Sequence, residues 1–432
     1  MLLYNSLTRH KEVFTPRDNQ VSVYVCGITP YDTTHLGHAF TYHTFDVLIR
    51  VLEQARGLRV TYVQNVTDID DDILRRAKQV GKQWRALGDE WTAHFVRDMQ
   101  ALNMRPPDHY PRASDAISEI VGIVAALIAQ GVAYESGGSV YFSVDKFEHF
   151  GALCGIPRAE MLAVANERGN RPDDPHKRDP LDFVLWQAQA PGEPAWDSPW
   201  GKGRPGWHIE CTALNRKFLG DNVDIHGGGG DLVFPHHECE IAQAESASGV
   251  VPFVRTWMHV AMVRKDGEKM SKSLGNLVWV SELLKTYTPD AVRLYLASHH
   301  YRDSWEWNED DMRNCAQMAA AWRQSGSAWL FANARPVTDA SVSRRHEMDR
   351  GLLASNVIDA LQDDLDTPRA IVALSELAQW TDDATLPMQQ RQNAQQALRM
   401  GAGLLGLRLG APEEARVHDG WARHLQRFVS ES

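Results

Sequence analysis

Near the start of the chain the spacing of apolar residues switches from two to 3.6 and back to two. Val21-Ser22-Val23-Tyr24-Val25 alternates as a strand does and runs into Cys26-Gly27 and a turn rich in Thr, Pro and Asp. Phe45, Leu48, Ile49 and Leu52 then recur at i, i+3, i+4 and i+7, the stripe of a helix, and Gly57 sits where a left-handed cap ends it. Val60-Thr61-Tyr62-Val63 follows as a second strand. Strand, helix and strand in this order make a βαβ unit. That commits the chain to a parallel sheet with ligands beyond the carboxyl ends of its strands. Cys26 to His38 and Asn65 to Asp68 therefore border one crevice.

The pattern is then interrupted. Residues from about 105 to 200 read as an insertion, helical near Ile117 to Gln130, extended near Val140 to Val144, and Pro/Asp-rich from Arg171 to Pro180. The sheet resumes at Val223-Asp224-Ile225-His226, before four glycines, and again near Trp257 to Val263. Beyond Pro289 the pattern is helical, with Pro289 and Thr367-Pro368 placed to open helices. The expectation is an α/β fold, a split Rossmann-type nucleotide-binding domain (1–110 and 201–265) with an inserted connective domain (111–200). A loop region (266–310) and an all-α C-terminal bundle (311–432) follow, two or three units being usual for 432 residues.

Charge and cysteine usage narrow the partners. A net charge of -11 argues against a large non-specific contact with a nucleic-acid backbone, which needs clustered Lys and Arg. The N-terminus has no charged segment followed by an apolar run, and no stretch of about 18 apolar residues occurs, so a cytoplasmic protein without membrane partners is expected. Five scattered cysteines, Cys26, Cys154, Cys211, Cys239 and Cys315, suit metal ligation or burial better than a disulfide framework. A monomer is expected.

Two motifs carry chemistry. His35-Leu36-Gly37-His38 lies between the first strand and its helix, where backbone N–H groups and the helix dipole favour phosphate and the imidazoles add donors. Lys269-Met270-Ser271-Lys272-Ser273, between Asp266-Gly267 and Leu274-Gly275-Asn276, reads as a loop whose lysines close over a pyrophosphate leaving group. Alone, each also fits an ordinary surface turn. Together and in this order the chain resembles the class I aminoacyl-tRNA synthetases, with 266–310 as a stem-contact-like region. Cys26-Gly27-Ile28-Thr29, Asn65-Val66-Thr67-Asp68-Ile69-Asp70-Asp71, Gly206-Trp207-His208-Ile209-Glu210-Cys211 and Phe234-Pro235-His236-His237-Glu238 narrow the resemblance. They are similar to the cysteine-specific branch, which holds cysteinyl-tRNA synthetase and the mycothiol-pathway ligase that joins cysteine to glucosaminyl-inositol.

The resemblance implies ATP and L-cysteine as substrates, magnesium with the ATP, and zinc. Cys26 and Cys211 can supply thiolates, His236 an imidazole and Glu240 a carboxylate four residues on, on one helix face; Cys239 is a spare candidate. Each cysteine follows an element ending at the crevice, so folding would close the site. Zinc would bind the substrate thiol as thiolate, and a serine hydroxyl is too weakly acidic to compete. His35, His38, Lys269 and Lys272 are the catalytic candidates. Trp207 would wall the substrate sulfur, Gly227 to Gly230 would admit the adenine, and Asp231 would hydrogen-bond the nucleotide. Gly27, Ile28, Thr29, Gly37, Thr41, Asn65, Val66 and Val263 complete the implied substrate and ATP contacts, Thr67 serving either there or as N-cap of the next helix.

The acceptor divides the branch. Ile28-Thr29-Pro30-Tyr31-Asp32, His38-Ala39-Phe40-Thr41-Tyr42, Glu167-Arg168-Gly169 with Pro172, Pro175, Lys177 and Asp179, and Gly275-Asn276-Leu277-Val278 with Val280-Ser281 resemble the mycothiol-type ligase. Phe40 stands where synthetases usually carry Arg, removing a cation from the expected acceptor path. From residue 331 onward there are 11 Arg, no Lys and 14 Asp plus Glu, no basic platform for an anticodon loop. His236 to Gln243 and Leu181 to Trp186 resemble the tRNA enzyme instead; in the mycothiol-type relative the Glu240 position is not a ligand. The expected acceptor is a small amine such as glucosaminyl-inositol rather than tRNA(Cys), with a silent nucleotide- or zinc-binding paralogue as a third reading.

Overall fold

The computed structural model describes residues 1–31, 33–270, 274–327, 355–409 and 419–429. A hairpin of β1 (Leu2–Asn5) and β2 (His10–Val13) leads into β3 (Gln20–Ile28), α1 (Leu36–Arg50) and β4 (Arg59–Val66). These are the strand, helix and strand that the periodicity marks. The first strand runs past its alternating stripe through Cys26, Gly27 and Ile28, and the helix starts before its apolar stripe with turns that carry His38 and Thr41. Gly57 takes a left-handed φ of 64° after a wide turn at Val51–Ala55.

With β9 (Val223–Gly229) and β10 (Val254–Val260), β3 and β4 form a parallel sheet in the order β10-β9-β3-β4. Successive strands run outward from β3 in both directions, so the switch point falls between β3 and β9, where their carboxyl ends part. Val23, Val25 and Ile225 are fully or almost fully buried, as a sheet covered on both faces requires.

Between β4 and β9 lie α2 (Asp71–Val80), α3 (Trp84–Ala101) and the insertion proper. The insertion is built from α4 (Ile117–Ala129), β5 (Ala133–Ser136), β6 (Ser139–Phe142), α5 (Arg158–Glu167), β7 (Phe183–Ala188) and β8 (Gly203–Pro205). Its four strands form their own antiparallel sheet. Because β8 is the fourth strand, this unit runs a few residues past the expected limit at 200.

α6 (Trp207–Leu219) returns the chain to β9, and α7 (Glu238–Ser248) to β10. A small sheet of β11 (Val263–Lys265), β12 (Glu268–Lys269) and β13 (Trp305–Glu306) follows, with α8 (Val280–Thr286) and α9 (Pro289–Ala297) inside it in sequence. Thr288 caps α9 with Pro289 in its first turn, and Asp366 caps the later helix that Thr367-Pro368 opens. α10 (Glu309–Ser327), α11 (Thr367–Asp382) and α12 (Met388–Leu404) make the C-terminal bundle, while α13 (Asp419–Val429) leaves it and packs on α3. Trp421 Nε1 there donates to the Met104 carbonyl at 2.7 Å. No helix among the described residues is long and apolar enough to cross a membrane.

Candidate functional site

A cleft of about 1610 Å³ opens at the switch point between β3 and β9, with the insertion forming one wall. At its floor β3 bulges: pairing with β4 jumps from Val25 opposite Gln64 to Ile28 opposite Val66, which re-aims the intervening Cys26 and Gly27. Gly27 admits no side chain, since a Cβ would lie 1.5 Å from the Asn65 carbonyl oxygen. Its N–H donates to Asn65 Oδ1 at 2.7 Å.

Four side chains converge beside the bulge. Cys211, in the second turn of α6, brings its Sγ to 3.8 Å from Cys26 Sγ. His236 Nε2 lies 3.1 Å from Glu240 Oε1. The ligand atoms of Cys26, Cys211, His236 and Glu240 all fall within 4.8 Å of one another, and all four residues are buried. The cysteines therefore lie inside a strand and a helix rather than after them, and His236 sits in the turn preceding α7 rather than on its face. Cys239 is buried but contributes to no such group.

A second group shares two members: Cys26, Glu240, His226 and His237 also lie within 4.8 Å. His237 Nε2 is 3.2 Å from Cys26 Sγ, and His226 Nε2 is 3.5 Å from it. Reading the sequence left both imidazoles unassigned. The signal available was a histidine at the end of the strand that carries the glycine run, and another adjacent to a ligand.

The protonation of this floor follows from burial and pairing. Burial, reinforced by the neighbouring Cys211, pushes the Cys26 thiol well above its ordinary range. Hydrogen bonding from Cys26 outweighs burial at Cys211 and brings that thiol down to about 7. Of the two thiols, Cys211 is therefore the more readily ionised. Burial raises the Glu240 carboxyl and lowers the His226 and His237 imidazoles, which stay neutral. Two sulfurs, one imidazole and one carboxylate at a buried point are donors of the kind Zn²⁺ takes, and the residues fit that ion.

Another part of the cleft wall is built by α1. His35 is its N-cap, Nδ1 accepting from the Gly37 N–H at 3.1 Å and the His38 N–H at 3.4 Å, which leaves the proton of a neutral ring on Nε2. His35 and His38 stack with centroids 3.7 Å apart. Lys269, ending β12, reaches across so that its Nζ lies 2.9 Å from Asp231 Oδ2. Burial raises the Asp231 carboxyl, but Lys269 and Arg168 together hold it below the usual carboxylate range. Lys272, with Asp32, Ser271 and Ser273, lies outside the described residues.

Cys26, Gly27, Ile28, Thr29, His35, Gly37, His38, Thr41, Thr67, Trp207, Cys211, Gly229, Asp231, His236, Val263 and Lys269 all line the cleft. The Trp207 ring, opening α6, lies over His236 with centroids 4.3 Å apart. Asn65, Val66, Gly230 and Glu240 stand off the wall. Asn65 instead fixes Gly27 and donates to Thr67 Oγ1 at 3.1 Å.

Three expectations are corrected. Asp70, not Thr67, caps α2, its carboxylate accepting the Asp72 and Ile73 N–H groups. Phe40 is 1% exposed, packed edge-to-face on Trp305 at 5.3 Å, and belongs to the core rather than to an acceptor path. Within the glycine run, Gly227 serves packing, since a Cβ there would lie 2.2 Å from the Phe45 ring; of the four, only Gly229 lines the cleft.

Residues 13–317 match the family described as tRNA synthetases class I (C) catalytic domain. The chain is 46% identical over 383 residues to an L-cysteine:1D-myo-inositol 2-amino-2-deoxy-alpha-D-glucopyranoside ligase of Thermobifida fusca, covering 88% of each protein. It is 42% identical over 382 residues to a cysteine–tRNA ligase of Heliobacterium modesticaldum, covering 87% of this chain and 78% of that one. In fold it is similar to the methionyl-tRNA synthetase of Mycobacterium tuberculosis in complex with methionyl-adenylate, at a TM-score of 0.60 and 16% identity, covering 95% of this chain and 93% of that one.

Proposed function

The chain belongs to the class I (C) tRNA synthetase catalytic-domain family, and from that membership we propose an ATP-dependent cysteine ligase that serves an amino-sugar acceptor. It activates L-cysteine as cysteinyl-adenylate and passes the cysteinyl group to the amine of glucosaminyl-inositol. The buried ligand set of Cys26, Cys211, His236 and Glu240 carries the choice of amino acid. Relatives named as the amino-sugar ligase, 42–48% identical over 82–89% of this chain, carry the choice of acceptor, with a C-terminal region free of lysine in support.

In the first step a cysteine carboxylate oxygen attacks the α-phosphorus of ATP, the bond to the bridging oxygen of the β-phosphate breaks, and pyrophosphate leaves. The His35 and His38 imidazoles present donors to the triphosphate, and Lys269 neutralises charge on the leaving group. Lys272 is proposed to share that task. Cys26, Cys211, His236 and Glu240 would hold zinc, and the ion would supply a further coordination position for the substrate sulfur as thiolate, a selectivity that shape at roughly 10- to 200-fold per small group would not equal. Trp207 excludes water from beside the sulfur. In the second step the acceptor nitrogen attacks the activated carbonyl carbon, the bond to the phosphate oxygen breaks, AMP leaves, and the nitrogen gives up its proton as the amide forms.

Incubating the purified protein with ATP and cysteine, and with either glucosaminyl-inositol or tRNA(Cys), tests the reading. Amine-dependent AMP release with formation of the amide is expected. Efficient charging of tRNA(Cys) without amine-dependent AMP release would overturn it.

A further inference from the structure

The metal ligands, the α1 histidines, Asp231 and Lys269 account for the cleft around the strand ends. Its remaining walls come from the turn into α2 and from the insertion. One stretch of the insertion faces the cleft residue after residue: every position from 165 to 177 lines it. That stretch is pinned. Arg168 Nη1 donates to the Asp231 carbonyl at 2.7 Å, the Tyr141 hydroxyl to Asp174 Oδ2 at 2.9 Å, and Lys177 Nζ to Asn170 Oδ1 at 2.5 Å. Among these anchors Glu167, Arg171 and Asp173 are exposed on the cleft wall, and their side chains make no hydrogen bond or ion pair with any described residue. A fixed backbone therefore presents two carboxylates and one guanidinium to the cleft, with no protein partner to satisfy them.

We propose that the 165–177 segment is the acceptor-recognition wall, with Glu167 and Asp173 receiving the hydroxyls and the N–H groups of the neutral amine of an amino polyol and Arg171 donating to its oxygens. This rests on the amine-acceptor reading above. A carboxylate accepts both hydrogens of a vicinal diol and the N–H hydrogens of an amine, whereas a fork of N–H donors matches neighbouring oxygens. The same two carboxylates repel a phosphodiester, so the wall also selects against the end of an RNA. Because Arg168 ties the segment to Asp231, the wall keeps a fixed offset from the nucleotide turn.

The test compares the full-length protein with a Glu167→Gln/Asp173→Asn double variant and with Arg171→Ala, all exposed substitutions whose fold is checked by zinc content and melting temperature. Two assays are run, cysteine-dependent pyrophosphate exchange and glucosaminyl-inositol-dependent AMP release. The expected result is an acceptor KM raised about tenfold or more, with exchange within about twofold of the parent. An unchanged acceptor KM would sink the proposal, and so would exchange falling in step with ligation, which would make the segment part of the adenylation machinery. A parent protein that shows exchange but no amine-dependent AMP release removes the underlying reading instead, a result visible before any variant is made.

Discussion

At the scale of single residues, the floor of the cleft is a proton store as well as a ligand set. Burial favours the protonated forms of Cys26 and Glu240, and Cys211 adds to it at the thiol. Ligation of an ion by four donors needs both deprotonated, so binding releases protons and the apparent affinity for zinc falls as pH falls. The expected slope is at least roughly tenfold per pH unit for each proton released, read by competition with a zinc indicator between about pH 6 and 8. A flat profile would mean that the thiols are already ionised. Cys211→Ser removes the one sulfur that is easily ionised, and should lower zinc affinity and cysteine-dependent pyrophosphate exchange by more than ~100-fold. Cys239→Ser, one position from Glu240 but outside the ligand group, should leave the zinc content unchanged.

At the scale of elements, the bulge in β3 is what turns a strand residue into a ligand, and Gly27 is the residue that permits it. Gly27→Ala forces a Cβ against the Asn65 backbone, where no side chain can swing aside. The expected cost is about 2–3 kcal/mol of stability together with loss of bound zinc, measured by thermal melts and metal analysis. Gly81→Ala is the control: its left-handed φ of 67° makes an added Cβ unfavourable by about 1 kcal/mol, but nothing lies within 4 Å and the zinc should remain. This difference shows what the sequence could disclose. β3, α1 and β4 are legible because their apolar periods are local, and Thr288-Pro289 because capping chemistry is local. The bulge depends on pairing with β4, so nothing in Cys26-Gly27 alone announces it. Thr67 and Asp70 are both good caps, and only the path of the turn decides between them. Phe40 differs from a cleft residue only by Trp305, which is far away in sequence. His226 and His237 escape notice for the same reason: each becomes a neighbour of Cys26 through the sheet order, which no short motif encodes.

At the scale of the whole molecule, the helix that begins with the histidine motif is held from behind by a buried ion network that joins three parts of the chain. Arg293 of α9, with no side-chain exposure, pairs with Asp46 of α1, donates from Nε to the Leu405 carbonyl at 2.8 Å, and donates from Nη1 to the Leu102 carbonyl at 2.9 Å. Arg50 Nε approaches the same Asp46 carboxylate at 2.8 Å. The helix that begins with the histidine motif, the end of α3 and the last turn of the bundle are therefore fastened to one guanidinium. Burial pushes the Asp46 carboxyl up, but Arg50 and Arg293 together hold it well below the usual carboxylate range. A carboxylate with a depressed folded-state pKa contributes stability that is present above its unfolded value near pH 4 and is lost as pH falls toward the folded value. Arg293→Ala removes one partner and leaves a buried charge and two carbonyls short of donors, so it should cost about 3–5 kcal/mol. Its melting temperature should also depend less on pH below about 4 than that of the parent, because part of the acid-labile stability has already gone. Parallel acid limbs in the two proteins would show that Arg50 alone sets the Asp46 carboxyl, and that α9 and the bundle hold the histidine helix by apolar packing instead.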